Sequence, residues 1–123
     1  MNSYESGVAQ LYEMLGEEKA EAVITKFRNL SPLFEKEAVS VVFGRTWSRE
    51  QIDLKTRSLC SIGILAALGR INALRINFSL ALENGASKEE IIEVLLQVAI
   101  YAGYPAALDA LSILHEVLTE QNA

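Results

Sequence analysis

Reactive side chains are scarce in this chain of 123 residues, which holds one cysteine (Cys60), one histidine (His115) and one tryptophan (Trp47). A lone cysteine cannot close a disulfide within the chain, and a zinc site needs roughly four His, Cys or carboxylate ligands that no stretch here groups together. No metal and no cofactor is expected. His115 lies beside Glu116 and four residues before Thr119, the pattern of a surface or interface residue, so it is assigned no catalytic role. Basic residues are also few and scattered: 11 Lys+Arg against 16 Asp+Glu leave a formal charge of −5, which argues against nucleic acid as a partner. Long hydrophobic runs are missing as well. The longest charge-free stretches, Ser58 to Gly69 and Val94 to Leu108, hold 12 and 15 residues, short of the ~20 that span a bilayer. The opening MNSYESGVAQLYE is polar and acidic where a signal peptide carries a basic and then an apolar segment, so the expected location is the cytoplasm.

What the chain has in quantity is apolar surface at helical spacing, with 50% of its residues hydrophobic. Segments such as LCSIGILAALG are apolar on nearly every face, more than one small core can hide, and that excess implies a buried subunit interface. An all-helical fold of six to seven helices follows from apolar positions recurring at three and four. The expected helices are Ser3 to Leu15, amphipathic through Val8, Leu11, Tyr12 and Leu15 and closed by Gly16; Glu17 to Leu30; Ser31-capped Pro32 to about Phe43; Asp53-capped to Leu68; Arg70 to Asn84; Lys88 to Ala102; and Pro105 to about Glu120. Ser87 and Glu90 read as a capping box, and Gly44 to Gln51 as a loop carrying Trp47. No repeat or linker divides the chain. It reads as one domain over 1–123, with N-terminal helices in 1–43 and a core in 44–123.

Several segments in one order carry a resemblance: Trp47-Ser48-Arg49, Thr56 to Leu59 (TRSL), Ala67 to Arg70 (ALGR), Asn84-Gly85, and Tyr101 to Ala107 (YAGYPAA). Together they resemble the carboxymuconolactone decarboxylase family. The resemblance implies the all-α fold of the alkylhydroperoxidase D-like superfamily and a homo-oligomer, a trimer or a hexamer. Two chemistries are implied by that fold. In the peroxidase branch a C-x-x-C-x-x-x-H motif supplies a thiolate and its resolving partner; here those positions fall on Arg70, Ala73 and Asn77, which argues against thiol peroxidation of that kind. Cys60, in an apolar run of the preceding helix, reads as a buried structural cysteine.

The decarboxylase branch implies loss of CO2 from a lactone carboxylate with a shift of a double bond. Its histidine positions, in L-R-x-H and before Y-A-G, are occupied by Asn77 and Gln97. An amide donates and accepts hydrogen bonds but exchanges no proton near neutral pH, so these two catalytic candidates keep polarity without acid/base capacity. Asn77 interrupts an apolar pattern and either faces a pocket or bonds a neighbouring helix. Gln97 shares one face of its helix with Glu93 and Tyr101, and either lines a pocket or makes an interhelical or interface contact. Arg49 and Arg57 are candidate carboxylate clamps, one of them expected to form only a structural salt bridge with Glu50, Asp53 or Glu93. Trp47 covers the pocket mouth or packs against a neighbouring subunit. Tyr101 and Tyr104 flank Gly103, where a helix end admits a ligand, packing being the alternative. The expected partners are a small carboxylated metabolite and further copies of the chain. Three functional readings stay open: an enzyme of decarboxylase type with altered acid/base chemistry, a non-catalytic small-molecule-binding oligomer, and, behind these, a thiol peroxidase of the alkylhydroperoxidase D type.

Overall fold

The computed structural model describes residues 1–121, and every regular element among them is a helix, so the all-α expectation holds. The chain divides into two compact units, Met1–Leu54 and Lys55–Ala123.

In the first unit, α1 (Ser3–Leu15) is opened by Asn2, whose side chain accepts the Glu5 N–H at 2.8 Å. It is closed at Gly16, where φ is +84°, a conformation glycine adopts without a steric cost. α2 (Glu17–Leu30) follows directly. Ser31 caps α3 (Pro32–Ala38), its Oγ accepting from the Phe34 N–H at 3.1 Å, with proline at the first helical position. The chain then stays helical where a loop was expected: α3 passes without a break into a π-helical segment, Val39–Trp47. The reason is tertiary. A Cβ on Gly7 would lie 2.0 Å from the Val39 carbonyl oxygen, and one on Gly44 would lie 1.9 Å from that of Ser3. α1 and the π segment therefore touch backbone to backbone, and only glycine permits that approach at either point. The core here is Leu11, Ala20, Ile24 and Val39, with Tyr4, Val8, Tyr12, Leu15, Val23, Phe27 and Phe43 packed around it. The buried stripe of α1 is Gly7, Gln10, Leu11 and Met14; the expected Val8, Tyr12 and Leu15 flank it, half-buried.

The second unit contains α4 (Leu54–Leu68), α5 (Ile71–Glu83), α6 (Lys88–Ala102) and α7 (Tyr104–Gln121). Its core is larger, with Phe78, Ile62, Leu74, Ile91, Leu95 and Leu114 almost wholly removed from water. Full burial of one such side chain contributes about 1.5–3 kcal/mol. The expected capping box is present: Ser87 Oγ accepts the Glu90 N–H at 3.0 Å, and Glu90 Oε1 accepts the Ser87 N–H at 2.9 Å. Glu90 Oε2 also pairs with Lys55 Nζ at 3.0 Å, tying the start of α6 to the start of α4. The Ser87 N–H, and then Lys55, hold the Glu90 carboxyl below its ordinary value. Arg75 joins α5 to α7 through Glu116 at 2.9 Å, an exposed pair of small energetic weight.

α4 corrects one expectation. Its core-facing positions are Ser58, Ile62 and Ala66, four residues apart. Cys60, Ile64 and Leu68 stand on the other side, so Cys60 is exposed. A helix apolar all round gives no pattern from which to tell its inner face from its outer one.

Candidate functional site

Trp47 and Arg49 belong to the first unit. Trp47 is the last residue of the π segment and is buried. Ser48 closes that segment: its N–H donates to the Phe43 carbonyl at 3.1 Å and its Oγ to the Gly44 carbonyl at 2.6 Å. Two carbonyls orphaned at the helix end are satisfied this way, and the turn holds Trp47 in place. Arg49, one residue further on, is exposed.

Arg57, Asn77, Gln97 and Tyr101 belong to the second unit. Arg57 and Ser58 are neighbours in α4, and each buries a donor that has no acceptor: Arg57 Nε and Ser58 Oγ make no hydrogen bond. Ser58 is wholly buried. A buried donor left unpaired costs about 1–3 kcal/mol, and native structures hold few of them. The expected salt bridge from one of the two arginines is not formed among the described residues; the cation that pairs across α4 and α6 is Lys55, whose flexible ammonium reaches Glu90. Ser58 was not singled out from the sequence, because the outward-facing Cys60, Ile64 and Leu68 repeat at the same four-residue spacing as Ser58, Ile62 and Ala66.

Asn77, half-buried on α5, donates one amide hydrogen to the Ala73 carbonyl at 2.8 Å, one turn back on its own helix and not to a neighbouring one. That bond fixes the side chain and leaves its second N–H and its Oδ1 unused. Gln97 is exposed, and the apolar residues beside it on α6, Leu96 and Ile100, are exposed too. It makes no interhelical hydrogen bond among the described residues. Tyr101, one turn on, and Tyr104 across the Gly103 break are both open to solvent, so neither packs within the chain. Gln97 and Tyr101 thus share one outward face of α6. His115 is exposed on α7, in line with its reading as a surface residue.

Two other polar features have structural explanations. Arg28 Nε donates to Glu35 Oε1 at 2.9 Å, and the Tyr4 hydroxyl adds to it. Burial alone would push the Glu35 carboxyl up; Tyr4 and Arg28 more than offset that and leave it below its ordinary value. A shallow groove along the outer side of α2, lined by Glu18, Glu21, Thr25, Lys26 and Asn29 among others, contains none of the six candidates. Among the described residues no group of three or more His, Cys, Asp or Glu is placed to hold a metal, and no helix is long and apolar enough to cross a membrane.

α4 thus carries two buried donors without an acceptor, and α5 and α6 carry neutral amides at Asn77 and Gln97. Residues 32–116 match the model of the carboxymuconolactone decarboxylase family. The sequence is 32% identical over 117 residues to 4-carboxymuconolactone decarboxylase of Acinetobacter baylyi, covering 95% of this chain and 87% of that protein. It is 26% identical over 121 residues to nitrosuccinic acid decarboxylase of Metarhizium robertsii, covering 95% of this chain and 82% of that one.

Proposed function

The chain belongs to the carboxymuconolactone decarboxylase family, and from that premise we propose that it acts on a small carboxylated lactone or related ring metabolite, removing CO2 or shifting a double bond. The observation that carries the reading is the pair of buried, acceptor-less donors at Arg57 and Ser58. A carboxylate supplies the missing acceptor, and a guanidinium matches it in charge and shape. Arg57 is preferred to Arg49 as the clamp because its Nε is already withdrawn from water. Tyr101 contacts the substrate.

Departure of CO2 leaves an electron pair delocalised over the ring carbonyl as a dienolate. Asn77, held by Ala73 and with one N–H unused, and Gln97 act as polarising donors to that charge. One such donor is worth ~10²–10³ in rate, whereas a positioned proton donor adds a further ~10²–10⁴. With amides at both positions the first contribution is kept and the second is lost, so the proton that reaches carbon comes from water and turnover is slow. The two decarboxylases similar to this chain are named for substrates that share a carboxyl group and little else, which supports a reading at the level of carboxylate loss.

The test follows the absorbance of γ-carboxymuconolactone with pure protein. Slow turnover is expected, rising when Asn77→His and Gln97→His are combined. No turnover in either protein at high concentration would remove the lactone from consideration. The second reading, a binding protein that no longer turns over, is favoured by the commitment of Asn77 to its own helix. Tight binding of a carboxylated ring compound without consumption would select it.

A further inference from the structure

We propose that Lys55 is a third, exchangeable donor of the carboxylate clamp and that Glu90 governs it. In the free protein the ammonium rests on Glu90; when a carboxylate reaches Arg57 and Ser58, the ammonium turns to it. This assignment rests on the reading that seats a carboxylate at those two residues.

Lys55, Arg57 and Ser58 fall within the first five residues of α4, which has no acidic residue in its first turn. Two cations there stand against the helix macrodipole, whose positive end favours anions. Lys55 and Ser58, three residues apart, lie on one ridge of the helix with ~5–6 Å between their Cβ atoms. The lysine side chain adds four methylenes and a rotating ammonium, so its nitrogen can reach an oxygen that accepts from the Ser58 hydroxyl. Ser58 is wholly buried, and neither its Oγ nor Arg57 Nε has an acceptor. A carboxylate seated on that end of α4 thus meets the helix dipole, two unanswered donors and, within one turn, a mobile cation.

Glu90 is the acceptor that Lys55 holds in the meantime. Lys55 Nζ lies 3.0 Å from Glu90 Oε2, and the two side chains are 39% and 40% exposed. A pair so open to water is held weakly, whereas an ammonium bonded to a carboxylate withdrawn from water is held more tightly. The exchange therefore runs toward the ligand. It leaves α6 undisturbed, because Glu90 Oε1 keeps the Ser87 N–H at 2.9 Å in the capping box and only Oε2 is released, to water. The ammonium has three donors, so it can also share itself between Glu90 and the ligand as it turns.

The experiment is a calorimetric titration of the full chain with γ-butyrolactone-γ-carboxylate, a saturated lactone carboxylate that has no double bond to shift. Lys55→Met is expected to weaken binding by ~10-fold, although Lys55 pairs with Glu90 in the free protein; Lys55→Gln stands in if that variant fails to fold. Glu90→Gln keeps the capping box, where glutamine serves as well as glutamate, and is expected to tighten binding by ~3–10-fold. In the Lys55→Met background the same change should move the Kd by less than ~2-fold, because Glu90 acts through the ammonium. Tightening undiminished in that background would be plain repulsion between carboxylates and would overturn the proposal. Ser87→Ala loosens the same helix start without altering charge and is expected to leave the Kd as it is. A Kd unmoved by Lys55→Met and Glu90→Gln, with both variants merely less stable to heat, makes the pair a structural tie and overturns the proposal. Arg57→Leu separates that failure from failure of the reading beneath it. If Arg57→Leu alone weakens binding, only Lys55 and Glu90 leave the site. A compound that does not bind, or that binds Arg57→Leu equally well, removes the carboxylate from α4 and the proposal with it.

Discussion

In the unit Met1–Leu54 the buried carboxylate, Glu35, is paired through Oε1 with the Arg28 guanidinium, and its Oε2 is buried without a hydrogen-bond partner. In the unit Lys55–Ala123 the buried donors of Arg57 and Ser58 have no acceptor. The first unit also spends glycine on backbone contact, at Gly7 and Gly44, while Gly63 in the second has only a Val94 methyl at 3.5 Å from where its Cβ would be. The difference separates two uses of polarity. In the first unit a buried carboxylate has an opposite charge beside it, and in the second the buried donors have no acceptor to meet.

The largest way to break this comparison is at Gly7. Gly7→Ala is expected to cost about 3 kcal/mol, since the new Cβ meets backbone that cannot rotate away; urea unfolding measures it. Next is Arg57→Leu, which should lower kcat/KM for a carboxylated substrate by ~100-fold (about 2.7 kcal/mol) while the melting temperature holds or rises, because the Nε removed is buried without an acceptor among the described residues. A parallel fall in stability would show that Arg57 is structural after all. Glu35→Gln should have the converse effect, a loss of about 1 kcal/mol of stability with turnover unaffected. Its pH dependence has a definite sign. Because the folded carboxyl titrates below its ordinary value, its contribution is complete above that ordinary value and fades as pH falls through the depressed one. The acid limb of a melting-temperature profile should therefore flatten in the variant. Ser87→Ala removes one half of the capping box and should cost about 1 kcal/mol. The smallest effect has the opposite sign: Gly63→Ala has room in a helix interior and should stabilise by about 0.5–1 kcal/mol. The same substitution thus changes sign between the two units.

Much of the fold was legible because helix ends are local chemistry. Gly16, Ser31-Pro32 and the Ser87–Glu90 box each satisfy backbone groups within a few residues, and each helix boundary lies where these residues put it. The π segment was not legible, since a widened helix differs from a loop at Gly44 to Trp47 only through what α1 does from forty residues away. The candidate site was legible only as residue types placed by the resemblance: two amides, two arginines, a tryptophan and a tyrosine. Its orientation was not. Cys60 points outward and Ser58 inward from one apolar helix, a choice that no hydrophobic pattern encodes.

Composition and spacing thus determined an all-helical chain of six to seven helices, and motif segments in one order carried the resemblance to its family, because each depends on residue identity or on contacts within one turn. Only the tertiary structure decided that Arg57 and Ser58 bury unanswered donors, that Arg49 is exposed, and that Gln97 stands on an uncovered apolar face. Burial and partnership are properties of packing among segments distant in the chain, and a side chain acquires them only when those segments meet.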